Sequence, residues 1–238
     1  MSEIISVVLP TYNEKGNIVE LINEIIKNIK LLGMNYEILV VDDNSPDGTA
    51  SFVMQEFNND INVKTIVRSN EKGLASAIKK GITESTGTIV IVMDTDFNHD
   101  PKLIPQMIRF LDYYDLIIGS RFTMGGDMYS RFRYYCSFIY NLIIRVILHT
   151  QIQDNLSGFF SIKKDKLIQL DYSQIFWGYG DYFFRLLFYS ERLKFNILAV
   201  PVIYKQRKYG QSKTSFARTL FKYTKEVICL RLKYLKEW

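Results

Sequence analysis

Residues 4–42 read IISVVLPTYNEKGNIVELINEIIKNIKLLGMNYEILVVD, which predicts a strand, a helix and a second strand. Ile4–Leu9 is apolar except for Ser6 and ends at Pro10, as expected of a strand buried on both faces. Apolar residues recur at helical spacing through Lys15–Leu32, and Gly33 follows the last of them. Tyr36–Val41, apolar apart from Glu37, is predicted to be a second strand. A buried strand–helix–strand unit is typical of a parallel sheet.

The same alternation continues along the chain. Further strands are predicted at Val63–Val67, Thr88–Met93, Leu116–Gly119, Leu156–Ile162 and Leu198–Tyr204. Further helices are predicted at Gly48–Phe57, Gly73–Glu84, Pro101–Leu111, Ser130–His149 and Asp181–Leu193. The sequence therefore predicts an α/β fold with a mostly parallel, Rossmann-like sheet flanked by helices. Such sheets bind ligands beyond the carboxyl ends of their strands, where Pro10, Asp42, Asp94 and Arg121 are expected.

Length and composition exclude several classes of protein. The chain has 238 residues, of which 47% are hydrophobic, enough for one globular domain with a short appendage. Its two cysteines, Cys136 and Cys229, are far apart, which argues against a disulfide scaffold or a zinc ribbon. The start MSEIISVVLP lacks the basic segment of a signal peptide. No window of about 18 residues is free of charge, so no membrane-spanning helix is expected.

Charge is unevenly distributed along the chain. Residues 1–100 contain 8 Lys and Arg against 15 Asp and Glu, whereas residues 101–238 contain 22 against 10. A basic half is expected to attract phosphates or anionic lipid. A solvated surface with uneven charge is the alternative. Nucleic-acid binding is not expected, because the basic residues accompany a diphosphate site and an apolar helix face.

An acidic cluster, DTDFN, follows the strand predicted at Thr88–Met93. Asp94, Asp96 and Asn98 alternate, so in an extended segment they point the same way. Three oxygen ligands suit a hard cation such as Mg²⁺ or Mn²⁺. An EF-hand is excluded, because His99 and Pro105 occupy positions that need Gly and Glu. A phosphatase with an aspartate nucleophile remains an alternative.

Other loops carry groups suited to a nucleotide diphosphate. Tyr12 could pack against a base or ribose, and Glu14 could accept hydrogen bonds from hydroxyls. Asp42 is placed to accept from a base N–H. Arg121, together with Arg207 and Lys213 in a Gly- and Ser-containing loop, suits a diphosphate, although solvated basic loops are common.

Six motifs in order carry a resemblance to a known family. They are PTYNE, VVDDNSPDGT, MDTDFNHDP, IGSRF, DNLSGFFSIKKDKL and YGQSK. Together they resemble the family 2 glycosyltransferases of the GT-A fold, and within that family the polyprenol-phosphate sugar synthases. The resemblance covers nearly the whole chain.

The resemblance implies an inverting, Mg²⁺- or Mn²⁺-dependent transfer of a sugar from a nucleotide-sugar to polyprenyl or dolichyl phosphate. Mannose from GDP-mannose is expected, although spacing alone does not identify the sugar. UDP-glucose or UDP-N-acetylglucosamine as donor, and a non-lipid saccharide as acceptor, are the alternatives. A non-catalytic membrane-binding subunit is an alternative of another class.

The resemblance also implies a role for individual residues. The nucleotide-sugar would be bound by Pro10, Tyr12, Glu14, Val40, Asp42, Asp94, Thr95, Asp96, Arg121, Arg207 and Lys213. Asp94, Asp96 and Asn98 would hold the metal, and Asp94, Asp96 and Arg121 would be catalytic. Arg133 and Ser137, four apart on one helix, would hold the acceptor phosphate. Asn98 stands where many relatives have Gln. The helix Asp181–Leu193 lacks a glutamate common among relatives, for which Asp181 could substitute.

Residues 215–238 are predicted to form a separate amphipathic helix after a catalytic domain spanning 1–214, with Ser215 as its N-cap. One arc of this helix would be basic, with Arg218, Lys222, Lys225, Lys233 and Lys236. The opposite side would be apolar, with Phe216, Leu220, Tyr223, Val227, Leu230, Tyr234 and Trp238. This pattern predicts a peripheral protein on the cytoplasmic face of a membrane, with its helix in the interface. Packing of the helix on the domain is the alternative, as is attachment through a membrane-spanning partner subunit.

Overall fold

A computed structural model describes residues 3–205 and 216–236, without the side chains of 216–219 and 236. Seven strands form one sheet in the order β3-β2-β1-β4-β7-β5-β8. They are β1 (Ile4–Thr11), β2 (Asn35–Asp42), β3 (Val63–Val67), β4 (Ile89–Val92), β5 (Leu116–Ser120), β7 (Phe160–Lys163) and β8 (Ile197–Pro201). All neighbouring pairs are parallel except the two that involve β7. A short parallel pair, β6 (Asp127–Met128) and β9 (Ile203–Tyr204), lies apart from this sheet.

Helices cover both faces of the sheet. They are α1 (Ile18–Lys30), α2 (Thr49–Glu56), α3 (Leu74–Glu84), α4 (Ile104–Phe110), α5 (Arg131–Leu148), α6 (Lys164–Leu167), α7 (Tyr172–Ile175), α8 (Tyr182–Arg192) and α9 (Phe216–Lys236). One core cluster joins α1 and α4 to one face, and another joins α3 and α8 to the other. The predicted α/β fold with a mostly parallel sheet is confirmed.

Most predicted elements are found within a few residues of their expected bounds. The segment predicted as one helix at Pro101–Leu111 is a 3-10 turn at Pro101–Leu103 followed by α4. The strand predicted at Leu198–Tyr204 is two strands, because Val202 separates β8 from β9. Strand β7 runs antiparallel to β4 and β5, so the residues just before it lie at the carboxyl edge of the parallel strands.

Helix α9 is amphipathic as predicted, but its apolar face is packed against the protein. Tyr223, Val227 and Leu230 are buried with residues of α5 and α8 in a third core cluster. The Tyr140 hydroxyl on α5 lies 3.2 Å from that of Thr224 on α9. The prediction that this face enters a membrane is therefore wrong, because it completes the core. The side chains of Phe216, Arg218 and Lys236, and all of Ser215 and Trp238, lie outside the described residues.

The outward faces of the same two helices expose a second set of apolar residues. On α5 they are Phe132, Tyr135, Phe138, Ile139, Leu142, Ile143 and Val146; on α9 they are Phe221, Ile228, Leu232 and Leu235. We call this set the α5–α9 apolar surface. Lys222, Lys225 and Lys233 of the predicted basic arc are exposed beside it. No helix among the described residues is long and apolar enough to cross a membrane.

Candidate active site

Two loops at the carboxyl edge of the sheet are joined by hydrogen bonds from the backbone of one loop to side chains of the other. The loop after β1 donates three successive backbone N–H groups to the loop after β2: Asn13 to Ser45 Oγ, Glu14 to Thr49 Oγ1 and Lys15 to Asp47 Oδ2, at 2.9–3.1 Å. Burial acts to raise the pKa of Asp47, but hydrogen bonds from Thr49 and Lys15 outweigh it and the pKa is lowered. The motifs PTYNE and DNSPDGT therefore form one rigid rim.

The predicted base-binding residues on this rim differ in their exposure. Tyr12 is exposed, and the Lys72 ammonium lies 5.3 Å from its ring centroid. Glu14 is half-buried, and its Oε2 accepts from Asn17 Nδ2 at 3.0 Å. Pro10 is buried in β1. Val40 is fully buried in the core beneath α1, and its contact with the nucleotide stays a prediction.

Asp42 shapes the rim from inside. Its Oδ2 accepts from the Ser45 backbone N–H at 2.8 Å and its Oδ1 from the Ser45 hydroxyl at 2.5 Å. Each carboxylate oxygen can accept a second hydrogen bond, so contact with a base N–H stays a prediction. Sequence reasoning missed the adjacent Asp43, which binds the buried Arg68 and accepts from the Gly73 N–H at 2.7 Å.

The acidic loop after β4 is tightly folded. Phe97 has φ 62°, an uncommon conformation for a residue with a side chain, and this turns Asn98 back towards Asp96. Asn98 donates to Asp96 from its backbone at 3.1 Å and from Nδ2 at 3.0 Å. Asp96 and Thr95 are buried, whereas the Asp94 side chain is 42% exposed.

The donor set of this loop fits a hard divalent cation. Asp94, Asp96 and Asn98 supply carboxylate and amide oxygens from one short loop. Among the described residues, no three His, Cys, Asp or Glu side chains form a cluster able to enclose a metal. Mg²⁺ is usually held by one or two carboxylates, with water and substrate phosphates completing its shell. The loop therefore suits an ion shared with a phosphorylated ligand.

His99 supports this loop from below. Its ring is fully buried, its Nδ1 accepts from the Asp94 N–H at 2.8 Å, and it stacks on Phe159 with centroids 4.8 Å apart. Nε2 lies 3.1 Å from Ser157 O and 2.9 Å from the Tyr204 hydroxyl. Since Nδ1 accepts, Nε2 carries the proton. Both ring nitrogens are thus used within the protein.

Arg121 lies directly after β5 and is buried against a carboxylate that sequence reasoning left without a role. Its Nε and Nη2 bind Asp154 at 2.8 and 2.7 Å, and its backbone N–H donates to the same carboxylate at 3.0 Å. Burial acts to lower the pKa of Arg121, but the charge of Asp154 and its hydrogen bonds raise it above its usual range. Asp154 belongs to DNLSGF, which the antiparallel β7 brings to this edge.

The remaining predicted residues lie on α5 and beyond β9. Arg133 is exposed and Ser137 half-buried, one turn apart on α5. Arg207 and Lys213 lie outside the described residues. Asp181 immediately precedes α8, and its substitution for the glutamate common in this helix stays a prediction. Its carboxylate is fully buried, accepting from Arg185 Nη1 at 2.7 Å and the Tyr179 N–H at 2.6 Å.

Comparison with curated proteins finds relatives over most of the chain. A curated dolichol-phosphate mannosyltransferase of Pyrococcus furiosus is 35% identical over 229 residues, which is 94% of this chain and 62% of that protein. The Saccharomyces cerevisiae protein of the same name is 33% identical over 68% of this chain and 61% of its own length. The chain thus spans about three fifths of these two relatives.

Solved structures share the fold. Glucosyl-3-phosphoglycerate synthase from Mycobacterium tuberculosis, crystallised with Mn²⁺, uridine diphosphate and phosphoglyceric acid, superposes with a TM-score of 0.70. It is 19% identical and the match covers 95% of this chain and 76% of that one. The family model described as glycosyl transferase family 2 matches residues 6–171. On that match and the fold, the chain belongs to glycosyl transferase family 2.

Proposed function

We propose that this protein transfers mannose from GDP-mannose to a polyprenyl or dolichyl phosphate, with Mg²⁺ or Mn²⁺ and with inversion. The observation that carries the proposal is the edge of the sheet, where the Asp94–Asn98 loop and Arg121 lie together with the joined loops after β1 and β2. The names of the relatives favour mannose and dolichyl phosphate over the UDP-sugars.

The acceptor provides its own nucleophile in this reaction. A phosphate monoester has a second pKa of about 6, so it is mostly dianionic at neutral pH and needs no strong base. This agrees with His99, whose two ring nitrogens are bound to other groups of the protein. A phosphate oxygen bonds to the anomeric carbon as the bond to the nucleoside diphosphate breaks, and the configuration inverts.

The residues of the chain then act by position and charge. Arg133 and Ser137 hold the attacking phosphate from one face of α5. Arg121, Arg207 and Lys213 stabilise the departing diphosphate. A cation held by Asp94, Asp96 and Asn98 would neutralise part of the charge of the diphosphate. The rim with Tyr12, Glu14 and Asp42 orients the nucleoside.

We further propose that the α5–α9 apolar surface rests on a membrane interface, where the lipid acceptor is found. Arg133 and Ser137 lie on the same helix as seven of its members. Lys222, Lys225 and Lys233 beside it suit anionic lipid, which adds on the order of 1 kcal/mol per basic residue near the surface. Deleting α9 would uncover the core, so point substitutions are the better test.

The test of the reaction is a donor screen. Purified protein, detergent-dispersed polyprenyl phosphate and Mn²⁺ or Mg²⁺ are mixed with GDP-mannose, UDP-glucose or UDP-N-acetylglucosamine, and sugar is counted in the organic phase. We expect GDP-mannose to be the only donor that labels the lipid. This labelling should be lost in Asp96→Ala and kept in Asp165→Ala, a control at an exposed position. Labelling from a UDP-sugar would reject mannose. No labelling by folded protein would favour a non-lipid acceptor or a subunit role.

Membrane attachment is tested by cosedimentation with vesicles containing phosphatidylglycerol. Ile139→Ser and Leu232→Ser are expected to weaken binding, because both remove apolar area from the α5–α9 apolar surface. Ile61→Ser changes an exposed isoleucine elsewhere and serves as the control. Equal binding by all three variants would reject this surface as the contact and leave a membrane-spanning partner as the alternative.

A further inference from the structure

A hollow of about 380 Å³ opens at the carboxyl end of α5, away from the site described above. It is lined by Leu142, Arg145, Val146, His149, Thr150 and Gln151. At 1.5 Å per residue, Arg145 lies about 18 Å along the helix from Arg133. The hollow is therefore separate from the proposed acceptor-phosphate residues.

Arg145 is a cation without a counter-charge in this hollow. Arg68, Arg121, Arg131 and Arg185 each pair with an aspartate. Arg145 is half-buried, yet it enters no ion pair among the described residues, and its buried Nε has no hydrogen-bond partner there. A buried hydrogen-bond donor without a partner costs free energy, so this guanidinium is suited to bind an oxyanion.

The turn after α5 folds back on the backbone of Arg145. His149 adopts φ 54°, and the backbone N–H groups of His149 and Thr150 both donate to Arg145 O. Arg192 donates to Leu148 O. These bonds cap two carbonyls at the negative end of the helix, which lessens the repulsion of an anion there. Glu191 accepts from the Gln151 N–H instead of pairing with Arg145.

Part of the lining of the hollow is apolar. Leu142 and Val146 belong to the α5–α9 apolar surface, so hydrocarbon on that surface would continue directly into the hollow. The imidazole of His149, the amide of Gln151 and the hydroxyl of Thr150 provide further donors in the same lining. A ligand that matches both the apolar residues and the donors of the lining carries a phosphate on an apolar chain.

We propose that the Arg145 hollow binds the phosphate of an amphiphile, with the phosphate on Arg145 and His149 and the hydrocarbon along Leu142 and Val146. The inference rests on the membrane contact of the proposed function, not on sugar transfer. Phosphate chemistry is common to a phospholipid headgroup and to free inorganic phosphate, and the experiment separates these two sources.

The test compares Arg145→Gln with Arg109→Gln, which removes the same charge from an exposed position on α4. Binding is measured to phosphatidylcholine vesicles with and without phosphatidic acid, and to inorganic phosphate by calorimetry. Loss of charge-assisted hydrogen bonds should weaken binding to phosphatidic acid vesicles about tenfold in Arg145→Gln and leave Arg109→Gln near wild type. His149→Gln, with a smaller loss expected, replaces Arg145→Gln if that variant does not fold.

Each outcome has one meaning. If the preference for phosphatidic acid vesicles is lost in Arg145→Gln but kept in Arg109→Gln, the hollow binds a lipid headgroup. If the protein binds inorganic phosphate but shows no preference for phosphatidic acid vesicles, the hollow is a free phosphate site and the amphiphile is rejected. Equal losses in both arginine variants, or none, overturn the proposal. Sugar transfer in detergent without phosphatidic acid is expected to survive Arg145→Gln. If vesicle binding depends on Arg145 but no donor labels lipid, the hollow stands and the proposed reaction falls.

Discussion

The ring of His99 fixes the backbone of Asp94: Nδ1 accepts the Asp94 N–H at 2.8 Å across a five-residue loop. The other ring nitrogen lies against Ser157 O and the Tyr204 hydroxyl. Burial is the main cause that raises the pKa of Tyr204, and the charge of Asp94 also raises it. The Tyr204 hydroxyl is therefore protonated at neutral pH. The acidic loop is therefore held, through His99, by groups from two distant parts of the chain.

His99→Ala is expected to weaken Mn²⁺ binding and raise the metal concentration needed for turnover, because groups that orient metal ligands commonly contribute about 10- to 100-fold. His99→Asn should recover part of the loss, since its Oδ1 takes the place of Nδ1 as an acceptor. Direct Mn²⁺ titration is the measurement, with Asp165→Ala as control. An alanine variant that binds Mn²⁺ as wild type does would remove His99 from the site's support.

The sequence predicts those features of the site that depend on residues close together in the chain. Short apolar runs and helical apolar spacing place Asp42, Asp94 and Arg121 at strand ends, because both patterns depend on near neighbours. The partners Asp154 and Tyr204 lie 33 and 105 residues away from Arg121 and His99, and nothing local marks them. The antiparallel β7 that brings Asp154 to the edge is a sheet-pairing choice, which strand composition does not encode.

Asp154→Ala is expected to destabilise the fold by about 3–5 kcal/mol, since it leaves Arg121 as an unpaired buried charge. Asp127→Ala removes the partner of the exposed Arg131 and should cost less than about 1 kcal/mol. Urea unfolding at neutral pH measures both. Similar midpoints for the two variants would mean that Arg121 is solvated or has another counter-charge.

Helix α9 shows why amphipathicity leaves orientation open. Angular spacing identifies two faces of the helix, and both are present. Which face meets the protein depends on whether α5 and α8 have unfilled apolar surface, and Tyr140, Ile144 and Phe188 provide it. The outward face is then defined by what remains exposed, including Phe221 and Leu232.

Two leucines on α9 make this orientation testable. Leu230 is 7% exposed and Leu232 is 53% exposed. Leu230→Ala should lower the free energy of unfolding by about 2–4 kcal/mol, because it opens a cavity in the third core cluster. Leu232→Ala should change it by less than about 1 kcal/mol. Thermal and urea unfolding decide between the two faces, and a reversed order would place the helix the other way round.

Glu37 predicts how stability depends on acid. This buried carboxylate on β2 accepts from Ser6 Oγ at 2.6 Å, Thr86 N–H at 2.5 Å and Lys64 Nζ at 2.8 Å. Burial acts to raise its pKa, but these bonds prevail and lower it from 4.5 to about 2. A carboxyl group with a lowered folded pKa stabilises the protein above its unfolded pKa, and that contribution is lost as pH falls towards 2.

The shift of Glu37 corresponds to about 3 kcal/mol, lost between about pH 4.5 and pH 2. Glu37→Gln should therefore be less stable than wild type at pH 7, and its stability should fall less steeply through that window. Glu84→Gln alters a half-exposed carboxylate paired with Lys80 and should keep the wild-type slope. Urea midpoints at intervals of pH measure the slopes, and parallel curves for Glu37→Gln and wild type would show that this carboxylate titrates alike in the folded and unfolded chain.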